Sequence, residues 1–244
     1  GQLRRRLKRG HLYRRLKQAA EVFGARGLVV VTAVALMIAA LLGSASRGGF
    51  ISLVCGLVFM MGLLLARYFR SRKGFVLMVL LSLEVTYVGY VATARIAQRF
   101  EFFFSMEDRL AMARDTLTMA QAFPLAGSGS GTFEFAYPRF QQIALDKVVD
   151  YAHNDWIQLA AEYGWPGFLA VLAALAAFFF LAVGRWRTRH DALAVGVGLG
   201  GLGAVVAISI HSLSDFNLHI PANGFLLALI LAVTWRVLYS NGQS

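Results

Sequence analysis

Gly167-Phe168-Leu169-Ala170-Val171-Leu172-Ala173-Ala174-Leu175-Ala176-Ala177-Phe178-Phe179-Phe180-Leu181-Ala182-Val183-Gly184 contains no charged residue, and it stops on Arg185-Trp186-Arg187-Thr188-Arg189. An apolar run of this length is a membrane-crossing helix, because about 20 residues at 1.5 Å each cover roughly 30 Å of hydrocarbon. The same pattern recurs on either side of it. Spans are expected at 28–46, 49–66, 74–94, 165–184, 192–213 and 221–239. Of 244 residues, 58% are hydrophobic and 15% are charged, with a mean hydropathy of +0.60. A soluble globule carries about 25% charge, so an ordinary soluble enzyme, a disulfide scaffold and a disordered tail are excluded. Cys55 is the one cysteine and lies in an apolar run, which leaves no intrachain disulfide and no cysteine metal site. The fold class is an all-α integral membrane protein, with about six transmembrane helices and one large helical loop.

The net charge of +11 is not a nucleic-acid face, since the basic residues fall in blocks between the spans. Arg4, Arg5, Arg6, Lys8, Arg9, Arg14, Arg15, Lys17 and Arg26 precede the first span. Arg67, Arg70, Arg72 and Lys73 follow the second, Arg185, Arg187 and Arg189 follow the fourth, and Arg236 lies near the end. Basic loops stay in the cytoplasm, so both termini and both basic loops are expected there. The chain then divides into a basic arm (1–26), three spans (27–94), an outer loop (95–164), three spans (165–239) and a tail (240–244).

Within 95–164, Ser105-Met106-Glu107-Asp108 has the look of a capping box. A helix is expected from there to Pro124, and a second from near His153 to Glu162, with Gly164 and Pro166 marking entry to the next span. Phe102–Phe104 read as an interfacial anchor. Gly127-Ser128-Gly129-Ser130-Gly131 matches neither dinucleotide nor phosphate-loop spacing and follows no strand. It is a flexible turn, or a backbone that a bulky substrate can approach. His153 at a helix start can exchange protons near neutral pH, or it can simply cap the helix. Glu162, nine residues on, does not share its face. Arg47, Arg109, Arg114 and Arg139 lie on the outer side, where arginine suits phosphate or pairs with the loop's acids. His211, Asp215 and His219 would share a face on a helix, but Asn217 and Pro221 favour a turn there over a metal site. Glu84 is an acid within a span and a functional suspect for that reason. Gly196, Gly200 and Ala204 are expected to pack helices.

His153-Asn154-Asp155-Trp156 through Glu162-Tyr163-Gly164-Trp165-Pro166-Gly167 resembles the His-Asn…Glu-x-Gly-x-x-Gly signature of the O-antigen ligase and polymerase superfamily. Pro124-Leu125-Ala126-Gly127-Ser128-Gly129-Ser130-Gly131-Thr132-Phe133 resembles its glycine-rich element, and Arg109 precedes it as in that family. Ser46-Arg47-Gly48 and the run Asp215–Asn223 are similar to two further elements, in the right order. Trp156-Ile157 departs from the commoner hydrophobic pair. The resemblance implies the C-terminal half of a protein with about twelve spans in the bacterial inner membrane and a periplasmic loop. It implies glycan transfer from an undecaprenyl diphosphate carrier to an acceptor hydroxyl (lipid A-core, growing polysaccharide or protein), with no cofactor and no metal. His153 would be the catalytic base or activator, and Arg47 and Arg109 would clamp the diphosphate. Gly127, Gly129, Gly131, Glu162 and Asp215 would be further substrate-binding positions. Arg47, Arg109 and His153 are then expected to line one cavity. The rival classes are a transporter or flippase of the same lipid, which would place polar groups at mid-membrane, and a non-catalytic membrane subunit, which would leave these residues scattered.

Overall fold

The computed structural model describes residues 29–41, 46–68, 104–142 and 148–240, together with isolated positions elsewhere. Every described regular element is helical. Two compact units divide between Ser46 and Arg47. In the first, α1 (Val29–Leu41) is a short apolar helix. Beyond it the Ser44 hydroxyl donates to the Leu41 carbonyl at 2.7 Å.

The second unit holds α2 (Arg47–Tyr68), α3 (Phe104–Ala122), the short α4 (Phe133–Ala136), α5 (Asp155–Thr188), α6 (Ala192–His211) and α7 (Pro221–Tyr239). α2, α5, α6 and α7 are long and apolar enough to cross a membrane. They match four of the expected spans. The span expected at 74–94 lies almost wholly outside the described residues, as do Glu84, Phe102 and Phe103. Large side chains on these helices face outward, Phe180 at 81% exposure, as lipid-facing positions do.

The Ser105 and Glu107 side chains of the expected capping box lie outside the described residues. One local expectation meets a different arrangement. Among the described residues, the close helix contacts of α6 are at Gly198, Gly201 and Gly203, and none lies within 4 Å of a Cβ at Gly196 or Gly200. A Cβ at Gly203 would lie 2.5 Å from the Met60 sulfur, and one at Gly56 would lie 2.9 Å from the Gly203 carbonyl, so α2 and α6 meet backbone to backbone. Small residues cover several faces of α6, and spacing alone does not say which face has a partner.

α5 is two helices joined at Gly164, where φ is +70°. Pro166 lacks an N–H, and the Trp165 N–H is taken by the Pro124 carbonyl at 2.9 Å, outside the helix. The first part, to Tyr163, packs on α3 and α4 around Met112, Met119, Phe133, Tyr137 and Ala160. This is the core of the segment expected as a loop subdomain. The buried Asp115 carboxylate there accepts from the Tyr137 hydroxyl at 3.3 Å and the Gln142 N–H at 3.2 Å. Burial, and then the Asp115 charge, push the Tyr137 hydroxyl well above the usual range. A second core at the far ends of the spans gathers Leu63, Leu64, Ala182, Trp186, Leu199, Leu202 and Leu238.

Candidate functional site

α6 ends at His211, and Pro221 starts α7 at its first turn, where a missing N–H costs nothing. The turn between them, with a single 3₁₀ turn at Asn217–His219, is a hub. The start of α5 is bonded along it residue by residue. The His153 Nδ1 faces the Asp215 carboxylate at 3.4 Å. The Asn154 side-chain amide donates to the Leu213 carbonyl at 2.9 Å, and the Asp155 N–H to the Ser212 carbonyl at 2.9 Å. The Trp156 indole N–H reaches the Ser209 carbonyl at 2.9 Å. Asn154 is the cap of α5, its oxygen accepting from the N–H groups of Trp156 and Ile157 at 3.1 Å each. His153 therefore precedes the cap, at a φ of +50° that a non-glycine residue rarely adopts. Contacts hold it there: Phe216 lies edge-on to its ring at 4.9 Å, and Tyr151 stacks on Phe216 at 4.6 Å.

A second acid–imidazole pair runs the other way. The Asp155 carboxylate meets the His219 Nδ1 at 2.6 Å and accepts the Leu218 N–H at 3.0 Å. Asp155 is 4% exposed and both of its oxygens are used. Spacing marks His219 only as a metal candidate and does not mark Asp155 at all, since the two lie 64 positions apart. Asp215 pairs with His153 just before α5 and His219 with Asp155 at its start, so the three spaced residues do not act as one group.

Arg109, exposed on α3, donates to the Ser214 carbonyl at 2.8 Å. That bond uses one of the guanidinium's five donors. The hydrogen bond to His153 is the largest influence on Asp215, opposed by partial burial and reinforced by the Phe216 N–H and the Arg109 charge, and together they hold its carboxyl below the usual range. Arg47 opens α2 on the same turn: a Cβ at its neighbour Gly48 would lie 2.7 Å from the Ser214 hydroxyl and 3.0 Å from the His211 ring. Arg47 itself is half-buried. Arg114 and Arg139 are exposed on the loop segment.

The glycine turn is built into α5. The Ser128 and Gly129 N–H groups donate to the carbonyls of Ala161 and Glu162 at 2.9 and 3.0 Å. The Glu162 carboxylate, 3% exposed, accepts the Gly131 N–H at 3.1 Å and the Gln158 amide at 3.2 Å. Gly127, at φ +70°, packs so closely that a Cβ would lie 2.2 Å from the Glu162 carbonyl carbon, and one at Gly164 would lie 2.5 Å from the Leu125 carbonyl oxygen. Gly127 and Gly164 are an interlock, and Glu162 is its clasp.

Between α5, α6 and α7 lies a cavity of about 560 Å³. Gly131, Asp155, Glu162 and His219 are among its lining residues, while His153, Arg47, Arg109 and Asp215 are not. Arg47, Arg109 and His153 thus belong to segments that meet at one turn, and none of them lines this cavity.

The family model described as O-antigen ligase matches residues 32–172, more than half of the chain. The chain belongs to the O-antigen ligase family. A comparison with curated proteins finds no match. Membership in this family makes the chain a multi-pass membrane protein of the O-antigen ligase kind, with glycan transfer as its coarse activity, and the matched range takes in Arg47, Arg109, the glycine turn, His153 and Glu162.

Proposed function

We propose that the protein transfers a glycan from an undecaprenyl diphosphate carrier to an acceptor hydroxyl at the periplasmic face of the bacterial inner membrane, with His153 as the base. The observation that carries this reading is the His153–Asp215 pair at 3.4 Å with Arg109 bonded to Ser214 beside it. With Nδ1–H donated to Asp215, the imidazole keeps the Nε2 lone pair for the acceptor hydroxyl. The acceptor oxygen attacks the anomeric carbon and its proton passes to Nε2. The bond from that carbon to the diphosphate oxygen breaks, and the diphosphate leaves with the electron pair. Arg47 and Arg109 stabilise the charge that gathers there. A base in place is worth about 10²–10⁴ in rate. Asp215 is a positioning residue for His153, and the glycine turn with Glu162 shapes the floor beside it.

The orientation follows from the arginines. Arg67, Arg185 and Arg189 gather at the ends of the spans opposite the 211–220 turn, and the positive-inside rule puts them in the cytoplasm. A cysteine at Ser130 is expected to react with an impermeant thiol reagent from outside, and one at Ser71 only from inside.

The reading is tested by complementation with His153→Ala, scored for surface polysaccharide and for lipid-linked glycan. Loss of the first with accumulation of the second is expected. Normal surface polysaccharide would reject it.

A further inference from the structure

Two imidazoles stand at the 211–220 turn, and they are held differently. His153 faces Asp215 at 3.4 Å, longer than an ordinary N–H···O bond, and that contact alone leaves the plane of its ring free to swing. His219 meets the Asp155 carboxylate at 2.6 Å. Asp155 is buried, and it is fixed in turn by the Leu218 N–H and by its own N–H on the Ser212 carbonyl. The second pair is the tighter one, yet the transfer reaction gives it nothing to do.

A row of rings joins the two. The His219 ring centroid lies 5.6 Å from that of Tyr151. Tyr151 stacks on Phe216 at 4.6 Å with 9° between the planes, and Phe216 meets the His153 ring at 4.9 Å and 75°. Such contacts are directional, because the edge of one ring carries the opposite partial charge to the face of the next. The row also closes on itself: Asp155, which anchors His219, is two residues from His153 and begins the helix that Asn154 caps. His219 braces Tyr151, Tyr151 braces Phe216, and Phe216 sets the plane of an imidazole whose backbone already sits at φ +50°. Only the Nδ1–H that Asp155 accepts is needed for this, and no proton has to leave His219.

We propose that His219, held by Asp155, is a positioning residue for His153 and acts through the Tyr151–Phe216 stack, a role that rests on reading His153 as the base. A base must stand within hydrogen-bond reach of the acceptor hydroxyl, and a misplacement of about 1 Å costs about 10²-fold in rate. A loosened row of rings therefore slows transfer and leaves the arginines free to hold the donor.

The test breaks the row at two places in the full-length protein, with single-turnover transfer and equilibrium binding of a polyprenyl diphosphate glycan as readouts. His219→Ala and Tyr151→Leu should each slow transfer by about 10–100-fold and keep donor binding within about twofold of wild type. The two combined should be no slower than the worse of them, because both cut one line of support. Tyr151→Phe keeps the ring and should keep the rate. Losses that multiply in the combined variant would make His219 a group that acts on its own, and would overturn the proposal. So would a wild-type rate in Tyr151→Leu, or a loss of donor binding equal to the loss of rate. If His219→Ala does not fold, Tyr151→Leu against Tyr151→Phe decides, since Tyr151 is half-buried in the loop before α5. His153→Ala keeps the two questions apart. A wild-type rate in that variant would overturn the base reading and this role with it, whereas a slow His153→Ala beside a fast Tyr151→Leu would overturn this role alone.

Discussion

The two ends of the helical bundle use arginine for different ends. At one, the Arg67 guanidinium donates to the carbonyls of Trp186 and Arg189 and lies 4.8 Å over the Trp186 ring. Arg189 donates to the carbonyls of Val237 and Ser240 at 3.0 and 2.6 Å. These cations close the C-terminal ends of α5 and α7, where the helix leaves unpaired carbonyls and partial negative charge. At the other end, Arg109 touches one carbonyl and stands over an acid–imidazole pair. The same residue type is a helix clamp where it spans carbonyls and an aromatic ring, and a candidate ligand for anions where an acid–imidazole pair stands beside it. Composition counts both alike; only the contacts tell them apart.

The contrast can be broken by substitution. His153→Ala should lower transfer by about 10²–10⁴ and leave binding of a polyprenyl diphosphate glycan within about twofold of wild type, read by single-turnover assay and equilibrium binding on the same preparation. Equal losses in both would make His153 a binding residue and move the base elsewhere. Arg109→Ala should weaken donor binding by about 10–100-fold, the range for a lost charge-assisted hydrogen bond, with partial recovery in Arg109→Lys because an ammonium lacks the planar fork. Arg67→Ala should do the reverse: donor binding unchanged in protein that remains folded, and stability lower by about 2 kcal/mol from two lost charge-assisted bonds. Thermal melts beside donor titrations show whether the two arginines separate in this way.

Much of the fold was legible in the chain. An uncharged run such as 167–184 has one stable form in lipid, and Gly164 with Pro166 announced the break in α5. The His153 and Glu162 assignments came from an element whose residues are close in sequence. What was not legible depends on contacts between distant segments. Asp155 reads as an ordinary helix-start acid until His219 stands beside it. Gly198, Gly201 and Gly203 became the packing face of α6 only because Met60, Thr234 and Leu238 lie against them. Arg109 and His153 come to the same turn, at Ser214 and Asp215, from positions 44 apart in the chain, while Asp155 and His219 turn to the cavity side.

Smaller effects sharpen the picture. Gly127→Ala combines positive φ with a 2.2 Å approach to Glu162, and should cost about 1–3 kcal/mol, seen as a lower melting temperature. A melting temperature unchanged from wild type would mean that the glycine turn is not locked onto α5. The stability that Asp215 contributes should be lost only in acid. Its folded carboxyl is held below its ordinary value by the His153 bond. The stability it contributes is complete above its unfolded value, near 4, and is lost as pH falls through the lower folded value. The difference between the melts of wild type and Asp215→Asn should therefore shrink as pH falls below about 4.

The pairing of His153 with Asp215 is tested most directly by a double-mutant cycle on transfer rate, using His153→Ala, Asp215→Asn and the two combined. If Asp215 acts only by orienting the imidazole, the combined variant should be no slower than His153→Ala alone, since nothing remains to orient. A combined loss equal to the product of the two single losses would contradict the pairing and give Asp215 a role of its own.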